Sequence, residues 1–193
     1  MEKKIFISHS TQDKDIVNSF MENVLIGALG INYDNIFNTS GCGTGIESGE
    51  DWRQSIRKNL ESSDLIIEFI SLSYKQSEIC QNEFGAAEFM NKKVIPIIIP
   101  PLDFNNAGVL AGVKQLTMVN SDDGLDEIKD NIVNIVGLDA SKLKTQRWNS
   151  KKKLFLNDVE YILHKKGSMV ANSSDKRLDL LNLIYKRILK IED

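Results

Sequence analysis

Five short apolar runs alternate with longer amphipathic segments over the first 137 residues of this chain, and this alternation limits the fold more than any other feature. Runs of this length and composition are typical of buried strands, and the amphipathic segments repeat their apolar residues at helical spacing. The predicted strands are Lys4–Ser8, Ile36–Asn38, Asp64–Ile70, Val94–Ile99 and Leu116–Val119. Strands that alternate with helices predict parallel βαβ units with right-handed crossovers and helices on both sheet faces.

Five such units predict the α/β fold class, as a flavodoxin-like three-layer sandwich. Its five-stranded parallel sheet is expected to have the strand order 2-1-3-4-5. In this order the first and third strands are neighbours at the switch point, so the segments after Ser8 and Ser71 are expected to flank one crevice. Open α/β sheets bind their ligands in such a crevice, at the carboxyl ends of the strands.

Capping residues mark the ends of the predicted helices. Ser10 precedes a helix that stops at Gly30, and Ser77 is a plausible N-cap for a helix that runs to about Asn91. Serine side chains accept hydrogen bonds from the free N–H groups of a first turn, and glycine suits the end of a helix. The last helix of this part is predicted over Asp122–Gly137.

The pattern changes after Gly137. Residues 151–166 and 175–191 are predicted to form two amphipathic helices, joined by the sequence GSMVANSS as a flexible linker. We therefore predict one domain over residues 1–137 and a C-terminal helical extension over residues 138–193. The first of these helices is expected to pack on the domain, and the wide apolar face of the second could pair with another chain.

Composition excludes several classes of function. A net charge of −3 provides no basic field for nucleic acid, so no nucleic-acid partner is expected. Two cysteines and two histidines, without a C-x-x-C spacing, cannot form a four-ligand zinc site unaided, so no metal is expected. No apolar run is long enough to span a membrane, and the chain starts without a signal-like segment. We expect a soluble, cytoplasmic protein without a membrane partner.

The segment that follows the third predicted strand contains the strongest candidate for chemistry. Serine, tyrosine, serine, cysteine and glutamate recur in it every three residues, at Ser71, Tyr74, Ser77, Cys80 and Glu83. If Ser77 is the N-cap, the last three form a slowly drifting stripe on one helix, because three residues turn by about 300°. This stripe begins beyond the carboxyl end of a strand, where a carboxylate is well placed to act on a ligand.

A plainer interpretation of the same segment stays open. Ser77 could be only a cap, Cys80 only a small hydrophobic residue and Glu83 only a solvated helix residue, since most helix glutamates lie at the surface. In either case the position of Glu83 near the helix start predicts an ionised carboxylate at neutral pH, because the helix dipole favours negative charge there.

The glycine-rich loop after the second predicted strand is ambiguous. The loop TSGCGTGIESG contains four glycines from Gly41 to Gly49 but has no following Lys-Ser or Lys-Thr, so it is not a P-loop. It could contact phosphate or a partner, or it could be a mobile surface loop.

The first strand ends in Ser8-His9-Ser10, which argues against the acidic phosphoacceptor site of receiver domains. Glu68 lies in an apolar strand and requires a partner or an exposed face.

Four motifs that follow one another in the chain resemble a Toll/interleukin-1 receptor (TIR) domain of bacterial type. They are KKIFISHSTQDKD, the glycine loop leading to SGEDWRQSI, SDLIIEFISLSYKQSEICQNEFG and NKKVIPIII. The resemblance covers about residues 1–137. It implies a flavodoxin-like fold and one of two functions. Some TIR domains are interaction modules for receptors and adaptors, whereas others cleave the nicotinamide–ribose bond of NAD+.

The resemblance also assigns candidate roles to residues. In the enzymes, the catalytic glutamate belongs to the S-x-x-Y-x-x-S-x-x-C-x-x-E segment, which places it at Glu83. Regions that line the substrate correspond to the first loop, the end of the second strand and the start of the following helix. These regions contribute His9, Ser10, Phe37, Asn38 and Trp52 as predicted substrate-binding residues. Ser77 and Cys80, which share the stripe with Glu83, are added to them.

The resemblance favours an enzyme that takes NAD+ as its substrate and needs no cofactor. Its product would be ADP-ribose or a cyclic ADP-ribose-type signal. Small bacterial TIR proteins of this type resemble components of anti-phage defence such as Thoeris, in which the nucleotide product activates a separate effector protein. Self-association through TIR surfaces is also implied. The alternatives are a non-catalytic scaffold for TIR–TIR interactions and an effector that interferes with host TIR signalling.

Overall fold

A computed structural model describes residues 3–38, 52–106 and 116–189, with side chains over 3–38, 54–106 and 116–167. Five parallel strands form one sheet in the order β2-β1-β3-β4-β5, which confirms the predicted order. The strands are β1 (Ile5–His9), β2 (Ile36–Asn38), β3 (Leu65–Ile70), β4 (Lys93–Ile98) and β5 (Thr117–Met118).

The helices connect these strands in the expected alternation. The first begins with a 3₁₀ turn and continues from α-helical into π-helical geometry, whereas its apolar spacing predicted a regular helix. The helical segments are the 3₁₀ turn Thr11–Asp13, α1 (Lys14–Ser19) with its π-helical continuation Phe20–Ala28, α2 (Trp52–Ser62), α3 (Leu72–Gln76), α4 (Glu78–Phe89), α5 (Asp122–Val136) and α6 (Thr145–Leu189).

The sheet has two different buried faces because side chains alternate along each strand. On one face, Phe6 and Ile66 pack with Leu60 of α2 and Ala87 of α4. On the other face, the Phe20 ring makes edge contacts with Phe69 of β3 and Phe155 of α6, at centroid distances of 5.2 and 5.4 Å. Every residue of β1 and β3 is buried, as the continuous apolar runs of a covered parallel sheet predict.

The predicted caps position the helices. The Ser77 hydroxyl accepts a hydrogen bond from the backbone N–H of Cys80 at 3.3 Å, which confirms Ser77 as the N-cap of α4. Gly137 follows α5 with a φ of 77°, a left-handed conformation that glycine adopts without steric cost. Gly30, with a φ of 72°, ends the first helical segment in the same way.

The predicted flexible linker is wrong. A single helix, α6, runs from Thr145 to Leu189 and includes both predicted C-terminal helices and the GSMVANSS segment between them. The segment contains one glycine and no proline, and a single glycine costs a helix only about 1 kcal/mol relative to alanine. This cost is too small to interrupt a helix that is favoured on both sides.

The described residues up to Val159 form one compact unit, and those from Glu160 form a second. The first unit includes the beginning of α6, where Trp148, Phe155 and Val159 are buried. Lys152 of this segment makes ion pairs with Asp122 at 2.8 Å and with Asp126 at 3.0 Å. The domain boundary at residues 137 and 138 stays a prediction, but buried contacts of the first unit continue beyond it.

A glycine lies where α6 contacts the first helical segment. The Arg147 Nε donates a hydrogen bond to the carbonyl of Gly27. A Cβ atom at Gly27 would lie 2.5 Å from the carbonyl oxygen of Glu22, in the same helical segment, and 3.1 Å from the Lys151 side chain, so a larger residue would force a local shift of the first helical segment. None of the described helices is long and apolar enough to cross a membrane.

Candidate active site at the carboxyl edge of the sheet

Glu83 faces the sheet from the second turn of α4. The Ser77 cap fixes where α4 begins, directly after β3 and the short helix α3, so the three-residue stripe turns Cys80 and Glu83 inward. Glu83 is only 5% exposed, and Cys80 is equally buried. The interpretation of Glu83 as a solvated surface glutamate is therefore wrong.

A chain of hydroxyl groups leads to the Glu83 carboxylate. The Ser8 Oγ, at the end of β1, lies 2.5 Å from the Glu83 Oε2 and 3.3 Å from the Tyr74 hydroxyl oxygen. A serine hydroxyl has one proton and can also accept, so it cannot donate to both groups. With Glu83 ionised, the shorter contact takes the Ser8 proton and the Tyr74 hydroxyl donates to Ser8.

The other oxygen of Glu83 has no such contact. The Oε1 atom is buried, and no hydrogen-bond partner for it occurs among the residues that the structure describes. Glu83 also lines a groove of about 540 Å³ between α2 and α4. The remaining lining residues are Ile56, Arg57, Leu60, Glu78, Ile79, Asn82, Ala86, Phe89 and Met90. A buried carboxylate oxygen without a partner, beside a groove, suits a ligand that donates a hydrogen bond.

Burial determines the ionisation of Glu83. It raises the pKa of the carboxyl from 4.5 to about 7, against the opposing effect of the Ser8 hydrogen bond. The expectation that the helix dipole keeps Glu83 ionised at neutral pH is thus contradicted, because burial brings the pKa of this carboxyl into the neutral range. The dipole effect fades beyond the first turn, and Glu83 lies in the second.

Two other groups beside Glu83 are poor nucleophiles. Burial raises the pKa of the Cys80 thiol to about 11, and Cys80 packs among apolar residues next to Tyr74 and Ile70. Burial, followed by the nearby charge of Glu68, raises the pKa of Tyr74 well above its ordinary value. Both side chains are protonated at neutral pH, so neither supplies a nucleophile there.

Glu68 belongs to the same buried region. Its backbone pairs with that of Ser8 between β3 and β1, so both side chains leave the sheet on the face covered by α4. Glu68 is 1% exposed, which excludes the exposed face that the sequence left open for it.

The predicted residues of the first loop are also buried. His9 follows Ser8 in β1, and burial lowers its pKa to about 4, so its imidazole is neutral at pH 7. The Ser10 hydroxyl accepts a hydrogen bond from the Gln12 backbone N–H at 3.4 Å and caps the 3₁₀ turn. The Asp13 carboxylate accepts a hydrogen bond from Ser71, which fastens this loop to the turn that precedes α3.

The predicted residues of the second strand lie at the same edge of the sheet but point into packed surroundings. The Phe37 ring stacks on Phe6 at a centroid distance of 5.3 Å. The Asn38 side-chain amide donates to the sulfur of Met21 at 3.3 Å. Trp52 begins α2, and its side chain lies outside the described residues, as does the whole glycine loop from Gly41 to Gly49. These substrate-binding assignments stay predictions.

Ser8 and Tyr74 are site residues that the sequence did not single out as partners of Glu83. The signal was present in part, because Ser8 ends an apolar strand and Tyr74 belongs to the three-residue stripe. Pairing them required the sheet register, since Ser8 and Glu83 are 75 residues apart in the chain.

Comparison with known proteins identifies the family of this fold and site. A family model described as "TIR domain" matches residues 5–132, which is most of the chain. This chain belongs to the TIR domain family. The match includes β1 and α4, so Ser8, Tyr74 and Glu83 all lie within the TIR domain.

Two individual proteins are similar to this chain. The chain is 30% identical over 151 residues to the protein YddK of Bacillus subtilis (strain 168), a match that covers 78% of this chain and 56% of YddK. This TIR chain therefore spans little more than half the length of that relative. The crystal structure of the TIR domain of the Toll-related receptor TRR-2 from Hydra magnipapillata superimposes with a TM-score of 0.51 at 16% identity. That match covers 69% of this chain and 97% of the TRR-2 chain, and it shows the fold alone.

The raised pKa of Glu83 predicts a pH-dependent stability of this TIR domain. A carboxyl with a folded pKa of about 7 and an ordinary value of 4.5 stabilises the fold fully below about pH 4.5. This contribution is lost as the pH rises through about 7. The shift corresponds to at most about 3 kcal/mol. We expect the unfolding free energy of Glu83→Gln, relative to that of wild type, to increase by up to this amount as the pH rises from about 4.5 to 8.

Urea unfolding of both proteins at several pH values measures this difference. The comparison between the two proteins is needed because the lowered pKa of His9 makes stability change in the opposite direction with pH. A difference that stays constant across the range would contradict the raised pKa.

Proposed function

We propose that this TIR domain cleaves the nicotinamide–ribose bond of NAD+ and that Glu83 is its catalytic residue. The observation that carries the proposal is the state of this carboxylate. It is buried, one oxygen is held by Ser8, the other has no partner among the described residues, and the side chain lines a groove. A carboxylate in this state serves neither packing nor surface charge well, whereas it suits a cationic reaction centre.

The proposed reaction begins with cleavage of the bond between the ribose carbon and the nicotinamide nitrogen. The bonding electrons leave with nicotinamide, which departs as a neutral molecule, and the ribose becomes an oxocarbenium-like cation. A fixed carboxylate stabilises this developing positive charge, and its free oxygen can accept a hydrogen bond from a ribose hydroxyl. Neutral nicotinamide is a competent leaving group, so no acid catalyst is required.

The cation is then captured by a nucleophile. Water gives ADP-ribose with release of a proton, which ionised Glu83 can accept as a general base because its pKa lies near the working pH. Capture by a nucleophile within the same molecule gives a cyclic ADP-ribose-type product. We propose that such a product activates a separate effector protein in anti-phage defence.

The groove has walls that fit parts of this substrate. Ile79 and Phe89 present exposed apolar surface to an aromatic base, and Arg57, which pairs with Glu61 at 2.9 Å, could exchange this partner for a diphosphate. The Glu83 Oε1 has almost no exposed surface, so a ligand reaches it only after the side chain or its neighbours move. We infer that the described state is a resting state and that a rearrangement completes the site.

We propose that self-association causes this rearrangement. We expect the specific activity to rise with protein concentration, because a neighbouring TIR domain would stabilise the open, competent state by mass action. Nicotinamide release per mole of protein, measured across a wide dilution series with light scattering at each concentration, tests this. A specific activity that is flat over the range in which the mass changes would contradict it.

The experiment that tests the proposed reaction is incubation of concentrated protein with NAD+, followed by chromatography and mass spectrometry. Nicotinamide together with ADP-ribose or a cyclic isomer is the expected result, and it also identifies the acceptor. If NAD+ stays intact at concentrations at which the protein is associated, the enzymatic proposal is wrong.

A scaffold is the second candidate function, and one observation favours it. The Phe89 side chain is 91% exposed at the end of α4, and Ile79, near the start of the same helix, is partly exposed; both line the groove between α2 and α4. Contiguous exposed apolar surface is typical of protein-binding sites. Under this alternative Phe89→Ala would weaken association, and Glu83→Gln would leave association unchanged.

A further inference from the structure

We propose that Ser8 and Tyr74 are positioning residues for Glu83: the Tyr74 hydroxyl donates to Ser8, Ser8 donates to the Glu83 Oε2, and this relay orients the carboxylate and favours its ionised form, with Oε1 left for the substrate. The proposal deepens the proposed function and rests on it for its catalytic consequence. The relay itself is a property of the free protein and can be tested without any reaction.

The geometry of the relay is specific. Ser8 lies at the end of β1, Tyr74 on α3 and Glu83 on α4, so three separate elements converge on one serine oxygen. Ser8 and Tyr74 have no exposed surface, so water does not compete for these hydroxyl groups. Hydrogen bonds to a charged group in such surroundings are stronger than those between neutral groups.

The relay opposes the effect of burial on the carboxylate. Desolvation favours the protonated acid, whereas the Ser8 hydrogen bond favours the ionised form, which is the form that stabilises a cation. Tyr74 supports this bond because its hydroxyl donates to the Ser8 oxygen, and a serine hydroxyl that accepts a hydrogen bond is a stronger donor to Glu83. Without the relay, the carboxyl would hold its proton at a still higher pH.

Burial and the Ser8 hydrogen bond set the pKa of Glu83, and no basic side chain among the described residues contributes to the shift. Other charged and titratable groups on the packed elements occur near the relay or the groove, and none of them replaces the Ser8 donor. They are His9 and Asp13 of the first loop, Arg57 of α2, Glu68 of β3, and Glu78 and Cys80 of α4.

The direct test is a carbon-13 NMR titration of the Glu83 carboxyl, assigned by its loss in Glu83→Gln. In Ser8→Ala we expect the Glu83 pKa to rise by about one to two units, the size of one hydrogen bond to a charged group. In Tyr74→Phe we expect a smaller rise in the same direction. The matched controls Ser63→Ala, which removes another buried serine hydroxyl, and Tyr161→Phe are expected to leave this pKa unchanged.

The catalytic consequence is a displaced pH profile. The kcat/KM for nicotinamide release by Ser8→Ala is expected to fall by about fivefold or more at pH 7 and to recover at higher pH, because this parameter follows the ionisation of the free enzyme. Loss of structure would lower the rate at every pH. Ser8→Thr, which keeps the hydroxyl, is expected to restore the wild-type pKa.

The outcomes separate this proposal from the proposed function. An unchanged Glu83 pKa in folded Ser8→Ala overturns the relay, whatever the activity. If Ser8→Ala does not fold, Tyr74→Phe decides, and an unchanged pKa in that variant overturns the proposal. If wild type releases no nicotinamide but the NMR titration shifts as expected, the relay stands and the enzymatic proposal fails.

Discussion

Replacing Glu83 by glutamine is expected to reduce NAD+ cleavage by about a hundred- to a thousand-fold while the protein stays folded. The substitution keeps the size of the side chain but removes the negative charge that opposes the oxocarbenium-like centre. Loss of one preorganised electrostatic contact of this kind typically has an effect of this size on kcat. The assay is best run near pH 8, where most wild-type molecules are ionised because the Glu83 pKa is about 7.

Glu88→Gln is the matched control for this experiment. Glu88 lies on the same helix, α4, but it does not line the groove. Glu78 is a weaker control because its side chain contributes to the groove wall. Both Glu83→Gln and Glu88→Gln should give cooperative thermal melts. At pH 8, Glu83→Gln should melt no earlier than wild type, since it removes a buried group whose ionisation destabilises the fold.

Three results would lead to different conclusions. Full turnover by folded Glu83→Gln would refute the catalytic assignment. Loss of activity together with loss of the melting transition would mean that Glu83 was needed for folding. Absence of nicotinamide release from concentrated wild type would leave the scaffold as the supported function, and Phe89→Ala would then be the informative variant.

The second large effect concerns stability rather than catalysis. Phe155→Ala is expected to lower the unfolding free energy by about 3–5 kcal/mol, because it removes a fully buried ring and leaves a cavity. The ring contacts Phe20, which in turn contacts Phe69 of the sheet. A loss of this size is a large part of the stability of an ordinary domain.

Leu154→Ala is the neighbouring control. Leu154 is 47% exposed, so its removal should change the unfolding free energy by much less than that of Phe155. Urea unfolding of both variants measures the difference. Equal effects of the two substitutions would contradict the packing of this part of α6.

Truncated chains test the same packing on a larger scale. A chain ending after Lys166 retains Trp148, Phe155 and Val159 and is expected to be soluble and to melt cooperatively. A chain ending after Gly137 lacks all three and is expected to lose cooperative unfolding. A cooperative melt of the shorter chain would instead support the predicted domain boundary at residue 137.

The sequence alone determined most of the fold. Continuous apolar runs specify strands that are covered on both faces, and their alternation with amphipathic helices leaves few arrangements of a parallel sheet. The order of the strands and the Ser77 cap follow from such local patterns. The sequence also placed Ser77, Cys80 and Glu83 near one face of a helix, but it left open whether that face meets the sheet or solvent. These features depend on neighbours along the chain, which the sequence shows directly.

Only the tertiary structure decided the chemistry of Glu83. Its pKa depends on how much water every surrounding element excludes, so a helix position predicted an ionised group where burial gives a pKa of about 7. The contacts of Ser8 with Tyr74 and Glu83 join residues from three elements. The relative placement of these elements cannot be derived from the local sequence of any one of them. In α6, where local composition predicted a linker, the helix continues because one glycine costs it only about 1 kcal/mol. The burial of Phe155, by contrast, depends on contacts with Phe20 from a distant part of the chain.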